Sequence, residues 1–186
     1  MYATHKYCLN IEEYLAYEEK SEIRHEYIDG EIFAMSGASA NHNQIAINMV
    51  ALIRPYLRGS KCRVFMSDMK VKIKQENATF FYYPDLLVTC SDKDRDNYFK
   101  TEPKLIVEIL SKSTKRNDLN EKRINYQSLS SLEEYVLIDQ DQIRVISYRK
   151  DSQGKWLKTI LENDNSLELK SINITLLMSQ IYEDVE

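Results

Sequence analysis

The sequence predicts an α/β (α+β) fold with a central mixed β-sheet flanked by helices, and three observations lead there. Segments of helical and of alternating periodicity follow one another in the order helix, hairpin, long helix, mixed strands, helix and more strands. Asp29-Gly30 stands between two alternating runs, and its ready access to positive φ suits a type I′ hairpin turn. Residues 104–110 are almost continuously apolar, the pattern of a strand covered on both faces.

Taken in order, residues 10–20 start with Asn10 as a cap and carry Glu13 at capping-box spacing, with Ile11, Tyr14, Leu15 and Tyr17 at approximately helical intervals. That predicts a short N-terminal helix, followed by a β-hairpin over 25–35. From 39 to 57, Ile45, Ile47, Met49, Val50, Leu52, Ile53 and Leu57 make a broad apolar face, and Gly59 supplies the stop signal. Residues 62–74 read as strand, turn and strand, with Val71 and Ile73 on a core face and Lys70, Lys72 and Lys74 on a basic one. Two apolar strands follow at 80–90 and 104–110, joined by a polar stretch, 91–102, that reads as an exposed loop or frayed helix. Residues 118–129 read as a helix with Asp118 as its candidate cap and with Leu119, Ile124 and Tyr126 inward. Strands are expected at 134–138, 143–149 and 156–161, and a terminal helix from about Thr175. With no internal repeat and no linker rich in Gly, Pro and Ser, a single domain over 1–186 is expected.

At 186 residues and 43% apolar the chain can bury a substantial core. Its net charge of −4 gives it no long-range attraction for a phosphate backbone, so any nucleic-acid contact is local or helped by metal ions. Cys8, Cys62 and Cys90 lack the spacing of a zinc site or a disulfide framework and read as reduced thiols of a cytoplasmic protein. No apolar run approaches the roughly 20 residues that span a bilayer, so no membrane association is expected.

Two carboxylates stand inside apolar runs: Asp85 in Tyr82-Tyr83-Pro84-Asp85-Leu86-Leu87-Val88, and Glu108 in Leu105-Ile106-Val107-Glu108-Ile109-Leu110. An ionised carboxylate beside a sheet core costs several kcal/mol unless a cation or donors meet it. If the two strands are neighbours, both can share a hard divalent ion such as Mg²⁺, with the Ile109 carbonyl as a further ligand. Asp85 reads equally as a turn residue after Pro84, whereas the apolar neighbours of Glu108 favour a functional role. His42 stands in a polar cap region, or faces the site; Glu26 on the hairpin is solvated, or a third acid of the site. Asp68 reads as a surface turn, and the alternating lysines as the wet face of a sheet or the lining of a phosphate-binding cleft. Ser111, Ser113 and Thr114 lack an evident His base and read as loop hydroxyls.

Tyr83-Pro84-Asp85, the strand end Glu108-Ile109-Leu110-Ser111, Asp118 with Lys122 and Tyr126, and the run from Glu134 to Asp139 together resemble the Uma-type restriction endonuclease family of the PD-(D/E)XK superfamily, abundant in cyanobacteria. The likeness extends to His25-Glu26-Tyr27-Ile28-Asp29-Gly30-Glu31 and to His42, and so covers nearly the whole chain. It implies a restriction-endonuclease-like sheet, Asp85 and Glu108 as metal ligands, and Mg²⁺-dependent (or Mn²⁺-dependent) hydrolysis of phosphodiester bonds, with DNA as substrate and no organic cofactor. A homodimer would set two sites on opposite strands. One departure stands out: the pattern places a lysine two residues after Glu108, where this chain has Leu110. Lys122 on the following helix is the expected replacement, with Lys112 a second candidate, and His42 and Glu26 would assist. Without a lysine at the site, a non-catalytic nucleic-acid-binding or protein-interaction module of the same fold is the alternative.

Overall fold

The computed structural model describes residues 3–5, 8–112, 114–163 and 165–186. In chain order its first half comprises β1 (Ala3–His5), α1 (Ile11–Lys20), β2 (His25–Ile28), β3 (Glu31–Ala34), α2 (Ala40–Leu57), β4 (Arg63–Met66), β5 (Lys70–Lys74), β6 (Thr79–Tyr82) and β7 (Leu86–Thr89). Next come β8 (Phe99–Lys100), β9 (Pro103–Leu110), α3 (Lys115–Leu119), α4 (Glu121–Gln127), β10 (Glu134–Asp139), β11 (Arg144–Lys150), β12 (Trp156–Glu162), β13 (Ser166–Leu169), β14 (Ile174–Leu177) and α5 (Met178–Ile181).

The predicted start signals operate locally. Asn10 Oδ1 accepts from the Glu13 amide at 3.0 Å while Glu13 Oε2 accepts from the Asn10 amide at 2.8 Å, closing the capping box of α1. The hairpin turns through Asp29 (φ 46°) and Gly30 (φ 103°), and a Cβ at Gly30 would lie 2.6 Å from Cys8 Sγ. Ser39 caps α2, accepting from the His42 amide at 3.1 Å.

Strands pair into two six-stranded sheets, β1-β3-β2-β6-β5-β8 and β12-β11-β10-β9-β7-β4, with β13-β14 as a separate hairpin. The second sheet is mixed: β9 and β10 run parallel, joined through α3 and α4, while β7 and β9 run antiparallel. One face packs on α2, where Ile45, Met49 and Ile53 meet Leu105, Val107 and Ile109. The other meets the first sheet and α4, where Val71, Ile73 and Tyr82 join Ile106, Leu110, Tyr126 and Leu137. Tyr14 of α1 covers the first sheet through Tyr27 and Phe81. The continuous apolarity of β9 thus reflects burial on both faces, and Glu108 lies on the face between the two sheets.

Several expectations are corrected. Residues 80–90 are two strands in different sheets: Pro84 has no N–H to give a ladder, and the chain changes sheet over Tyr83-Pro84-Asp85. Residues 62–74 likewise divide between the sheets, and the Ser67 amide donates to the Asp85 carbonyl at 3.1 Å, joining the two crossings. The basic face of β5 is not wholly wet: Lys70 is 7% exposed and donates to Tyr83 Oη at 3.2 Å, and Lys72 lies over the Phe81 and Phe99 rings. The 91–102 connection contains β8 and is anchored by buried Asp94, which accepts from Thr89 Oγ1 and the Thr101 and Glu102 amides. The helix at 118–129 is two, broken at Asn120. Ile124 is 60% exposed, and buried Asn125 takes the inward place, donating to Tyr82 Oη at 2.8 Å. The terminal helix from Thr175 is instead β14 followed by the four-residue α5.

The cysteine reading is corrected as well. Cys62 and Cys90 are disulfide-bonded, because the antiparallel register Arg63↔Thr89 sets them opposite each other across β4 and β7; Cys8 is free. Ser113 lies outside the described residues. Among the described residues no helix is long and apolar enough to cross a membrane.

Candidate active site

The register of the second sheet brings the two acids together. Leu86 of β7 pairs with Val107 of β9, so Asp85, one step earlier, comes opposite Glu108. The Asp85 amide approaches Glu108 Oε2 at 3.4 Å, and the Ile109 amide donates to Asp85 Oδ2 at 2.6 Å. From the first turn of α2, His42 Nε2 lies 2.8 Å from Asp85 Oδ1. The Lys104 and Leu110 carbonyls accept from the β10 side, so strand alternation turns the Ile109 carbonyl, like its amide, toward Asp85.

Lys122 of α4 projects between the sheets. Its Nζ lies 2.7 Å from Glu26 Oε1, 3.5 Å from Glu108 Oε1 and 3.5 Å from Asp118 Oδ1. Glu26 reaches this point from β2 of the other sheet and also takes the Tyr83 amide at 3.4 Å. Tyr126, one turn beyond Lys122, donates to Glu108 Oε1 at 3.1 Å. All four charged groups of this cluster are buried, Glu108 to 3% exposure.

Burial pushes the carboxyls of Glu26, Glu108 and Asp118 above their ordinary values, because each charged form gives up water. Lys122 opposes that rise in all three, while Asp118, Asp85 and Glu26 add to it at Glu108. For Lys122 itself, burial alone would lower the pKa, but Glu108, Glu26 and Asp118 outweigh it and hold the ammonium well above its ordinary value. It is therefore a fixed cation and a hydrogen-bond donor, not a base.

The structure thus brings Asp85, Glu108, Lys122, His42 and Glu26 into one constellation. Lys112 is exposed, in the turn after β9, and Leu110 packs in the core at 2% exposure. Asp68 is exposed and pairs with Arg24 at 3.2 Å. Asp118 does not cap the helix; it lies within α3 and meets Lys122. Tyr126 is core and site at once. Lys122 and Tyr126, four apart on α4, share the helix face that meets Glu108. Among the described residues, no three His, Cys, Asp or Glu side chains converge as a ready-made metal ligand set, and the Lys122 ammonium stands between the acids.

A mixed sheet with two acids at the junction of antiparallel strands and a lysine brought in by the following helix is a nuclease-like arrangement. Comparison with known proteins gives the family: the chain belongs to the Uma2 family, described as "Putative restriction endonuclease", which matches residues 11–178. Two curated relatives come from Synechocystis sp. The uncharacterized protein slr1290 is 37% identical over 175 residues, covering 94% of this chain and 91% of its own length. The uncharacterized protein sll1609 is 36% identical over 161 residues, covering 85% and 90%. In fold, the chain is similar to a crystal structure described as a "putative nuclease belonging to DUF820" from Anabaena variabilis, with a TM-score of 0.75 and 18% identity over 94% of this chain and 97% of that one.

Proposed function

We infer that this protein is a divalent-metal-dependent endonuclease acting on DNA, carried by one domain over 1–186. The observation that carries the reading is the Asp85 backbone amide meeting the Glu108 carboxylate across paired strands, beside an ammonium held by three buried carboxylates. Asp85, Glu108 and the Ile109 carbonyl would hold Mg²⁺ or Mn²⁺. The donor set fits a hard cation, being all oxygen and set on neighbouring strands. When bound, such an ion neutralises charge on a phosphate and lowers the pKa of water.

The chain's own residues supply the rest. In hydrolysis a water oxygen bonds to phosphorus as an ester P–O bond breaks, and negative charge grows on the phosphoryl oxygens. Lys122, held protonated, offsets that charge and takes the part of the lysine that Leu110 cannot play. Glu26 and Asp118 fix the ammonium from both sides, and His42 holds Asp85 in one orientation. A homodimer, which would offer two sites to opposite strands, belongs to this proposal and is checked by sedimentation.

Cleavage of supercoiled and linear DNA with Mg²⁺ or Mn²⁺ tests the reading. Wild type nicks or linearises the plasmid, and Asp85→Ala, Glu108→Ala and Lys122→Ala reduce the rate at least about a hundredfold, the scale of one lost electrostatic contributor. Metal at ten times its Kd also adds about 1.4 kcal/mol of stability. In a chain of this size that is a rise of about 3–6 °C in melting temperature, absent in Asp85→Ala. Activity that survives both acid substitutions removes the assignment. Buried Leu110 at the lysine position favours the second reading, a binding module without hydrolysis, which predicts DNA binding and no cleavage by wild type.

A further inference from the structure

Next to Glu108, on the same face of the second sheet, lies a cavity of about 210 Å³ whose floor is Leu110, Leu119, Leu137 and Ile146. Three cations, Lys115, Arg144 and Lys158, share its lining with a single acid, Asp139. The register ties it to the candidate site: Leu137 is the β10 partner of Glu108, and Asp139 is the partner of Leu110. α3 serves both places, giving Lys115 and Leu119 to the cavity and Asp118 to Lys122. Leu110 lies about 7 Å along β9 from Glu108, while Arg144 and Lys158 stand two and three strands across, about 10 and 14 Å at strand spacing, the scale of one to two nucleotide steps.

The cations differ in commitment. Lys115 Nζ is held by Asp139 Oδ2 at 2.7 Å, and Arg144 Nε lies 3.5 Å from Glu162 Oε1. Lys158 is in no ion pair among the described residues; its Nζ lies 5.8 Å from the Tyr148 ring centroid, a ring that Arg123 also approaches, at 5.3 Å. An unpaired cation over an apolar floor, in a chain of net charge −4, is a local attraction for an anion that also carries a flat or apolar body.

We propose that this cavity is a nucleotide subsite, holding a nucleotide one or two steps from the scissile phosphate of a nucleic-acid strand. Lys158 and Arg144 meet its phosphate, and Leu110, Leu119 and Ile146 lie under its base or sugar. The proposal rests on the nuclease reading above and deepens it.

The test is binding of a fluorescently labelled oligonucleotide to the full chain in EDTA across a salt series, together with cleavage kinetics in Mg²⁺. The proteins are wild type, Lys158→Gln, Lys158→Glu and, as control, Lys61→Gln, whose exposed side chain precedes β4 at the end away from Asp85. Lys158 is exposed, so its variants fold as wild type does, which melting temperatures verify. Lys158→Gln weakens binding about three- to tenfold and lowers the slope of log K against log salt by about one. Lys158→Glu weakens it further, KM rises in step, and Lys61→Gln matches wild type. If wild type cuts the oligonucleotide but both Lys158 variants keep its affinity, slope and KM, the subsite falls and the nuclease reading stands. If wild type neither binds nor cuts, both fall together.

Discussion

At Lys122 three carboxylates stand within 3.5 Å of one ammonium in a buried space, and removing that ammonium leaves Glu26, Glu108 and Asp118 facing one another. Lys122→Met is expected to cost about 3–5 kcal/mol at pH 8, the scale for breaking a buried ion pair. The pH dependence has a definite sign. The folded pKa values of these carboxyls already exceed their ordinary 4.5 and 3.8, and loss of the lysine raises them further. A carboxyl with a raised folded pKa contributes stability that is fully present below its ordinary value and is lost as pH rises through the folded one. The deficit is therefore small near pH 4 and grows toward neutrality. Urea denaturation at both pH values measures it, and an equal loss at each would mean that Lys122 acts through packing alone. Glu108 was legible in sequence because an acid among Val107, Ile109 and Leu110 demands compensation. Lys122 and Glu26 were assigned to the site only through the family resemblance, since Glu26 lies 96 residues before Lys122 and only the meeting of two sheets joins them.

The elements that carry their own signals were legible at their own scale. α1 has its capping box, the β2–β3 hairpin its Asp29-Gly30 turn, and β9 the apolarity of a strand buried on both faces. Ser39 does the same for α2 and also donates to Gln140 Oε1 at 2.9 Å, tying the helix start to the end of β10. Ser39→Ala is expected to cost about 1 kcal/mol, a fall of about 2–4 °C in melting temperature by calorimetry, with slower cleavage because His42 sits in the turn that loosens. Unchanged melting would mean that α2 is held by its apolar face alone. Elements set by tertiary contact escaped the periodicity. Asn120 interrupts a helix whose apolar spacing continues past it, and Lys70 occupies a wet-looking position that Tyr83 closes over. The β13–β14 hairpin is too short for its pattern to stand out from the loops around it.

Across the whole molecule, the change of sheet at Pro84 is the feature sequence periodicity could least reveal, because an apolar run reads the same whether it stays in one sheet or joins two. The Cys62–Cys90 bond was hidden for a related reason: 28 residues separate the pair, and only the β4–β7 register makes them neighbours. Closing a loop of that length is expected to stabilise the oxidised chain by roughly 2–4 kcal/mol. Urea unfolding with and without reductant measures the difference, and a Cys62→Ala/Cys90→Ala chain should not respond to reductant. The crossing at Tyr83-Pro84-Asp85 has one more consequence, in the order of synthesis. Glu26 belongs to one sheet, Glu108 to the other, His42 to a helix on the far face, and Lys122 to a helix made after all of them. A nascent chain halted before α4, or a fragment missing any one layer, holds its remaining acids without their cation and without a common position. The constellation is whole only when both sheets, α2 and α4 have closed on one another, so the meeting of acids and ammonium belongs to the finished fold and to no single layer.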